Sequence, residues 1–206
     1  MRPFSVNDRQ HVYVVDDEKP VLTALVRSIE QAGYDVSAFE SAEEFLQKAI
    51  RFRPAVLVLD MQMPGASGVQ LQARLTEFNW DIPVIFISGH STAVQGITAM
   101  KQGALDFLIK PFDLDKLLGL IEKAIQADLA RLRASQARTQ SLKALEVLRP
   151  REYEAYLCLV KGYSYAEMMA EMDISLPTAK TYRAAVMHKL KLASLAELIR
   201  FHQRLN

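Results

Sequence analysis

Residues 60–65 read DMQMPG and follow directly on the apolar run AVLVL at 55–59. A short unbroken run of Val and Leu, ended by a charged residue, indicates a strand buried on both faces. Such a strand lies inside a sheet that helices cover on both sides. Asp60 then stands at the carboxyl end of an inner strand, and Met63-Pro64-Gly65 turns the chain tightly. Gly68 lets the next helix start close by. Ligands of open α/β sheets bind beyond the carboxyl ends of the strands, so Asp60 is a candidate for chemistry.

The same pattern repeats on either side. HVYVVDD (11–17) is β-rich and ends in carboxylates, and VLTALVRSIEQAG (21–33) has helical apolar spacing with Gly33 suited to a C-cap. YDVSAFE (34–40) is a short strand, and SAEEFLQKAI (41–50) opens on a Ser41–Glu44 capping box. After AVLVLD come a helix VQLQARLTEF (69–78), a strand PVIFISG (83–89), a helix TAVQGITAMKQG (92–103), a strand DFLIKPF (106–112) and a helix from Asp113. Five βα units predict a five-stranded, doubly wound parallel sheet, flavodoxin-like in plan.

Apolar residues at 114, 117, 118, 121, 125, 129 and 132 form one stripe of a helix, and neither Gly nor Pro interrupts the chain from Pro111 and Gly119 onward until Pro150. This predicts a long helical linker. Residues 1–128 carry 12 Lys+Arg against 17 Asp+Glu, and residues 129–206 carry 13 against 7. An acidic part followed by a basic part suggests two jobs. The predicted division is 1–127, a linker at 128–145, and 146–206. One cysteine, Cys158, excludes an internal disulfide framework, suits a reducing cytoplasm, and reads as a core residue. His11, His90, His188 and His202 are too scattered for a zinc-type cluster. No apolar run reaches the roughly 20 residues that span a bilayer, so no membrane partner is expected.

Asp16 and Asp17 end the first strand, Asp60 the third, Ser88 the fourth and Lys110 the fifth. Five reactive side chains thus converge on one rim. Clustered carboxylates repel and need positive charge among them. Their all-oxygen donors suit Mg²⁺ rather than zinc, and Lys110 supplies a second cation. A hydroxyl, a lysine, a hard metal and an acceptor carboxylate are the requirements of phosphoryl transfer to an aspartate. Singly, Asp16 and Asp17 could be N-cap acids, Asp60 a loop acid, Ser88 a turn residue and Phe107 core packing. It is their joint order that favours chemistry.

VVDDEK, LVLDMQMPGASG, FISGH and GALDFLIKPF, in that order, make residues 10–127 resemble the receiver domain of two-component response regulators. The resemblance implies that Asp60 is the phospho-acceptor. Asp17 would bind Mg²⁺ directly, Asp16 would help hold it, and the Gln62 backbone carbonyl would complete the protein ligands. Ser88 would bond a phosphoryl oxygen and Lys110 would pair with it. The Lys110–Pro111 bond would be cis, and Phe107 would be the rotating aromatic that reports the position of Ser88.

The stretch SLPTAKTYRAAVMHKL (175–190) decides the basic half. Ser164 and Glu167 form a capping box for a helix through Met172, Asp173 sits at a turn, and Ser175 caps a second helix with Pro177 in its first turn. That is helix-turn-helix spacing. Ala179, Tyr182, Val186 and Leu190 share an inward face. Lys180, Thr181, Ala184 and His188 lie opposite, available to a major groove. Thr178, Arg183 and Lys189 complete the candidate DNA-contacting set. LRPRE, KG-S--E, IS--TAK, KL and SLAELIR make residues 146–201 resemble the DNA-binding domain of NarL/FixJ (LuxR-type) regulators. Arg149, Tyr165, Met169, Asp173, Ala179 and Tyr182 depart from that family's usual residues.

The combined resemblance implies a cytoplasmic response regulator, not an enzyme beyond its own phosphoryl transfer and hydrolysis. Its expected partners are a cognate sensor histidine kinase, double-stranded DNA, a second copy of itself after phosphorylation, and RNA polymerase as a further candidate. Two other readings are open from the sequence. The diverged last domain could be a protein-interaction output module presenting Tyr and Met side chains. The first domain could be an aspartyl-phosphate phosphotransferase or hydrolase, though neither a second catalytic acid nor a substrate cap is evident.

Overall fold

A computed structural model describes residues 5–89, 96, 98 and 100–205. It divides into two compact units, Met1–Leu132 and Arg133–Asn206. In the first, strands β1 (Ser5–Val15), β2 (Asp35–Phe39), β3 (Phe52–Asp60), β4 (Val84–Ser88) and β5 (Asp106–Ile109) form one parallel sheet in the order β2-β1-β3-β4-β5. Helices α1 (Lys19–Gln31), α2 (Ala42–Lys48), α3 (Gly68–Glu77) and α4 (Leu114–Leu145) connect or follow the strands. This is the doubly wound order that the sequence predicts.

Alternation along the strands supplies two cores, one on each face of the sheet. Val12, Val14, Val56, Val58, Ile85 and Ile87 pack with Leu22, Leu25 and Ile29 of α1 and Leu117, Ile121 and Ile125 of α4. Tyr13, Val15, Leu57, Leu59 and Phe86 pack on the other face with Phe45 of α2 and Leu71 and Leu75 of α3. Each such side chain removed from water contributes about 1.5–3 kcal/mol. Trp80 joins the second core, stacked on Phe45 at 5.0 Å between ring centroids.

Two strands begin earlier than their apolar runs. Ser5 and Val6 pair with Phe52 and Arg53 before a register shift brings His11 opposite Ala55. The Arg53–Pro54 bond is cis within this pairing. Asp128 of α4 is fully buried beneath it. Its carboxylate accepts from Arg53 Nε at 2.8 Å, from Arg53 Nη2, and from the Ala55 N–H at 2.9 Å. The pairing thus ties α4 to the start of β3. Of the helix expected at 92–103, residues 92–95, 97 and 99 lie outside the described residues, as does His90. Gly96, Thr98, Met100 and Lys101 are helical, and Gly103 ends the element at φ +90°.

Helix α4 opens on Asp113, whose Oδ1 accepts the Asp115 N–H at 3.0 Å, and runs without a break to Leu145, as the uninterrupted stripe predicts. The second unit holds α5 (Pro150–Val160), α6 (Tyr165–Met172), α7 (Leu176–Lys189) and α8 (Leu195–Gln203). Their core gathers Tyr156, Cys158, Leu159, Met168, Met172, Ala179, Val186, Leu198 and Phe201. Cys158 is buried there, and burial pushes its thiol above the ordinary value. Among the described residues no helix is long and apolar enough to cross a membrane.

Candidate functional site

The carboxyl ends of β1, β3, β4 and β5 bring the predicted rim residues together. One oxygen from each of Asp16, Asp17 and Asp60 lies within 4.8 Å of the others. Asp16 is fully buried, Asp60 is 4% exposed, and Asp17 is half-buried. Neither Asp16 nor Asp17 caps α1: Glu18 holds the N-cap position, and its N–H donates to Asp16 Oδ1 at 2.9 Å. Two unit charges about 4 Å apart repel by about 4 kcal/mol near a protein surface. Lys110 offsets this. Its Nζ donates to Asp60 Oδ2 at 2.7 Å, to Asp16 Oδ2 at 2.8 Å and to Glu18 Oε1 at 3.2 Å.

The titration of the pair follows from these contacts. Burial pushes the Asp16 carboxyl above its ordinary value, against the pull of Lys110 and the Glu18 N–H. Burial works to lower Lys110, but its hydrogen bonds to Asp16 and Asp60 override that and hold the ammonium above its ordinary value. Lys110–Pro111 is cis, as the resemblance implies. Ser88 is fully buried, and its Oγ is one of the buried side-chain oxygens without a protein partner among the described residues. Phe107, opposite Phe86 in the sheet, is half-buried against the α2–α3 core.

The loop after β3 holds Asp60 in place. The Gln62 N–H donates to Asp60 Oδ1 at 2.9 Å, and the Met61 N–H donates to the Ile87 carbonyl at 2.9 Å. Gly65 has φ +81°. Gly68 opens α3 so close to the strand end that a Cβ there would lie 2.2 Å from the Asp60 carbonyl oxygen. The donor set is all oxygen and hard. Asp16 and Asp60 are buried and Asp17 is half-buried beside them, and Lys110 occupies only one oxygen of each acid it bridges. This arrangement fits Mg²⁺.

In the second unit, α6 and α7 form the two helices of a helix-turn-helix. Ser164 Oγ accepts the Glu167 N–H at 3.3 Å, and Glu167 Oε2 accepts the Ser164 N–H at 2.7 Å. Asp173 adopts the left-handed turn at φ +52°. Ser175 stands at the N-cap of α7 as expected, but its hydroxyl bonds the Thr178 hydroxyl at 2.9 Å and makes no side-chain cap. Lys180, Thr181, Ala184 and His188 are exposed, while Ala179, Val186 and Leu190 are buried and Tyr182 half-buried. Of the remaining candidates, Thr178 carries that hydroxyl bond. Arg183 lies over the Tyr165 ring. Lys189 is drawn inward, its Nζ donating to Glu152 Oε2 at 2.5 Å and to the Val147 carbonyl at 3.3 Å.

Residues 12–122 match the family described as response regulator receiver domain, and residues 146–202 match the one described as bacterial regulatory proteins, luxR family. Transcriptional regulatory protein FixJ of Bradyrhizobium diazoefficiens is 37% identical over 196 residues, covering 94% of this chain and 95% of that protein. The chain belongs to the NarL/FixJ family of response regulators. Response regulator protein TodT of Pseudomonas putida is likewise 37% identical, over 202 residues, covering 97% of this chain and 88% of that one. The solved structure of response regulator StyR matches with a TM-score of 0.81 at 34% identity, over 95% of this chain and 99% of that one. As a NarL/FixJ regulator the chain is a DNA-binding transcriptional regulator with a receiver domain, not a typical enzyme.

Several features of this regulator escape its linear sequence. Glu18 joins the rim through Lys110, yet it looks like an ordinary first-turn acid. At Arg149, where the sequence already shows a departure from the family's usual cap, no side chain caps α5. Glu152 accepts the Arg149 N–H at 2.7 Å. The same carboxylate holds Lys189, a contact across 37 residues that no local pattern announces.

Proposed function

We propose that phosphorylation of Asp60 by a partner sensor histidine kinase controls this regulator. The observation that carries the reading is Lys110 Nζ bridging Asp60 and Asp16, near a Ser88 hydroxyl that has no partner among the described residues. A carboxylate oxygen of Asp60 attacks the phosphorus of phosphohistidine. The P–N bond breaks as a P–O bond forms, giving an acyl phosphate on Asp60. Asp16, Asp17, Asp60 and the Gln62 carbonyl would hold Mg²⁺, which when bound would neutralise phosphoryl oxygens. Lys110 shifts from the free carboxylate to a phosphoryl oxygen, and Ser88 donates to another. Phe107 responds to the movement of Ser88. Water later attacks the acyl phosphate, so the chain catalyses only its own phosphorylation and hydrolysis.

Phosphorylation favours an active state to the extent that the phosphoryl group binds that state better. In that state two copies pair through the receiver, and two helix-turn-helix units meet paired half-sites on double-stranded DNA. Thr178, Lys180, Thr181, Arg183, Ala184 and His188 form the candidate contact set, from which Lys189 is set apart by its ion pair with Glu152, and RNA polymerase is the onward partner. The working boundaries are residues 1–127 for the receiver, 128–145 for the linker and 146–206 for the DNA-binding domain, in a protein of the cytoplasm. The decisive experiment is labelling with radioactive acetyl phosphate. Wild type takes up acid-stable, base-labile label and Asp60→Asn takes up none. Equal labelling of the Asn variant would move the acceptor elsewhere.

A further inference from the structure

Tyr165 and Arg183 come from the two helices of the helix-turn-helix. Tyr165 is the first residue of α6, directly after the Ser164 cap, and Arg183 lies in the middle of α7. The guanidinium carbon of Arg183 is 5.5 Å from the centroid of the Tyr165 ring, and Nη1 donates to the phenol oxygen at 3.3 Å. A guanidinium within about 6 Å of a ring face is attracted by the ring's quadrupole. The hydrogen bond fixes the azimuth that the ring alone leaves free.

The two half-buried cations of α7 have opposite fates. Lys189 meets Glu152, so its charge is cancelled within the domain. Arg183 is held by a ring and a phenol oxygen, neither of which carries formal charge, and none of the described ion pairs includes it. A carboxylate strut would fix Arg183 equally well, but it would neutralise the cation and repel an approaching anion. The ring fixes it and leaves its full charge outward.

Position then names the anion. In helix-turn-helix docking the second helix enters the major groove, while the first crosses the phosphate backbone. Arg183 belongs to the second helix but reaches the N-terminal end of the first. It also flanks the exposed face of Lys180, Thr181, Ala184 and His188. A guanidinium there meets backbone phosphate, for which its planar fork is suited.

We propose that Tyr165 is a positioning residue that presents the Arg183 guanidinium to a phosphate of double-stranded DNA. The inference rests on the DNA-binding role of the second unit and adds a specific strut to it. The consequence is a sequence-independent contact, present on any duplex.

The test uses the full chain, treated with acetyl phosphate and Mg²⁺, and a random-sequence duplex of about 30 base pairs, titrated by fluorescence anisotropy over a salt series. Arg183→Ala lowers affinity several-fold and reduces the slope of log K against log salt by about 0.9. Tyr165→Ala loses most of the same slope, and Tyr165→Phe, which keeps the ring but not the phenol oxygen, loses less of it than Tyr165→Ala. The double variant Tyr165→Ala/Arg183→Ala is no weaker than Arg183→Ala alone, because the tyrosine acts through the arginine. Melting curves accompany each variant. If Tyr165→Ala does not fold, Tyr165→Leu replaces it, keeping apolar bulk without the π face. An unchanged slope in Arg183→Ala, or additive losses in the double variant, would overturn the strut while leaving DNA binding intact. Absence of salt-dependent binding by the wild type would overturn both.

Discussion

Lys110 Nζ lies 2.7 Å from Oδ2 of Asp60, and the two residues are 50 apart in the chain. The cation sits on the oxygen side of the carboxylate that faces Asp16, not on the side that accepts the Gln62 N–H. One oxygen of Asp60 is thus tied to its own loop and the other to a cation that can change partners. Under the proposed phosphorylation, that division would let Asp60 keep its place while Lys110 moves to the phosphoryl group.

The proposed chemistry makes a metal at the acidic rim testable. Asp16, Asp17 and Asp60 together repel an incoming phosphoryl group, and Lys110 alone is shared among three carboxylates. Excess chelator, or Asp17→Ala in the presence of Mg²⁺, is expected to slow labelling by acetyl phosphate at least tenfold, on the scale of removing one charge contact from a phosphoryl-transfer site. The check is the initial labelling rate of the folded protein. Wild-type rates in chelator would exclude the metal.

Gly68→Ala tests how the loop holds Asp60. The added Cβ would meet the Asp60 carbonyl oxygen at 2.2 Å and Phe86 Cε1 at 3.0 Å, and the first is backbone that cannot swing aside. Helix α3 must move away from the strand end, at a cost of about 1–3 kcal/mol or more. A lower midpoint in urea and a slower labelling rate are expected together. Wild-type values of both would mean the close approach is relieved without strain.

His11 is expected to make the receiver sensitive to acid. Its ring is buried against Tyr13 and Phe52, and its Nε2 bonds Ser37 Oγ at 3.0 Å. Burial lowers the imidazole from 6.5 to about 4, against a smaller opposing pull from Asp35. Between those two values the unfolded chain binds a proton that the folded one refuses. Stability from this group is therefore complete above about pH 6.5 and declines as pH falls towards 4, by about 3 kcal/mol in all. His11→Gln removes the titration. Urea midpoints from pH 7 to 4.5 should fall more steeply for wild type than for the variant; parallel curves would dismiss the buried imidazole as the cause.

The sheet and its rim were legible because their signals are local. AVLVL and VIFI declare strands buried on both faces, and the acids, Ser88 and Lys110 sit at strand ends that the pattern itself locates. What stayed hidden is non-local. Pro54 argues against a strand interior, so the extension of β3 back to Phe52 and its pairing with Ser5 and Val6 could not be read from either segment. Asp128 looks like one more polar residue of an amphipathic helix until Arg53, 75 positions away, meets it. In the basic half, periodicity sorted Lys180 and His188 from Ala179 and Val186. It could not tell that Lys189 finds an internal acid.

That distinction between Lys180 and Lys189 gives the last prediction. Lys180 is exposed on α7, beside Thr181 and one turn before Ala184, and none of the ion pairs among the described residues includes it. Lys189 donates to Glu152 Oε2, whose side chain is only 10% exposed, and Glu152 in turn secures the uncapped start of α5 through the Arg149 N–H. The Lys189 hydrogen bond is also the main reason the Glu152 carboxyl lies below its ordinary value. Lys180→Ala should therefore weaken DNA binding with an unchanged melting curve. A base contact would cost about 1–3 kcal/mol at one base pair, and a phosphate contact would lower the salt slope by about one on every sequence. Lys189→Ala should instead lower the melting temperature of the second unit and leave the salt slope nearly unchanged. Lys189→Met, which keeps the stem but not the charge, should melt early as well, because the loss lies in the ion pair. A Lys189→Ala protein with wild-type melting and a slope reduced by about one would reverse the assignment, placing Lys189 on the DNA and making its contact with Glu152 incidental.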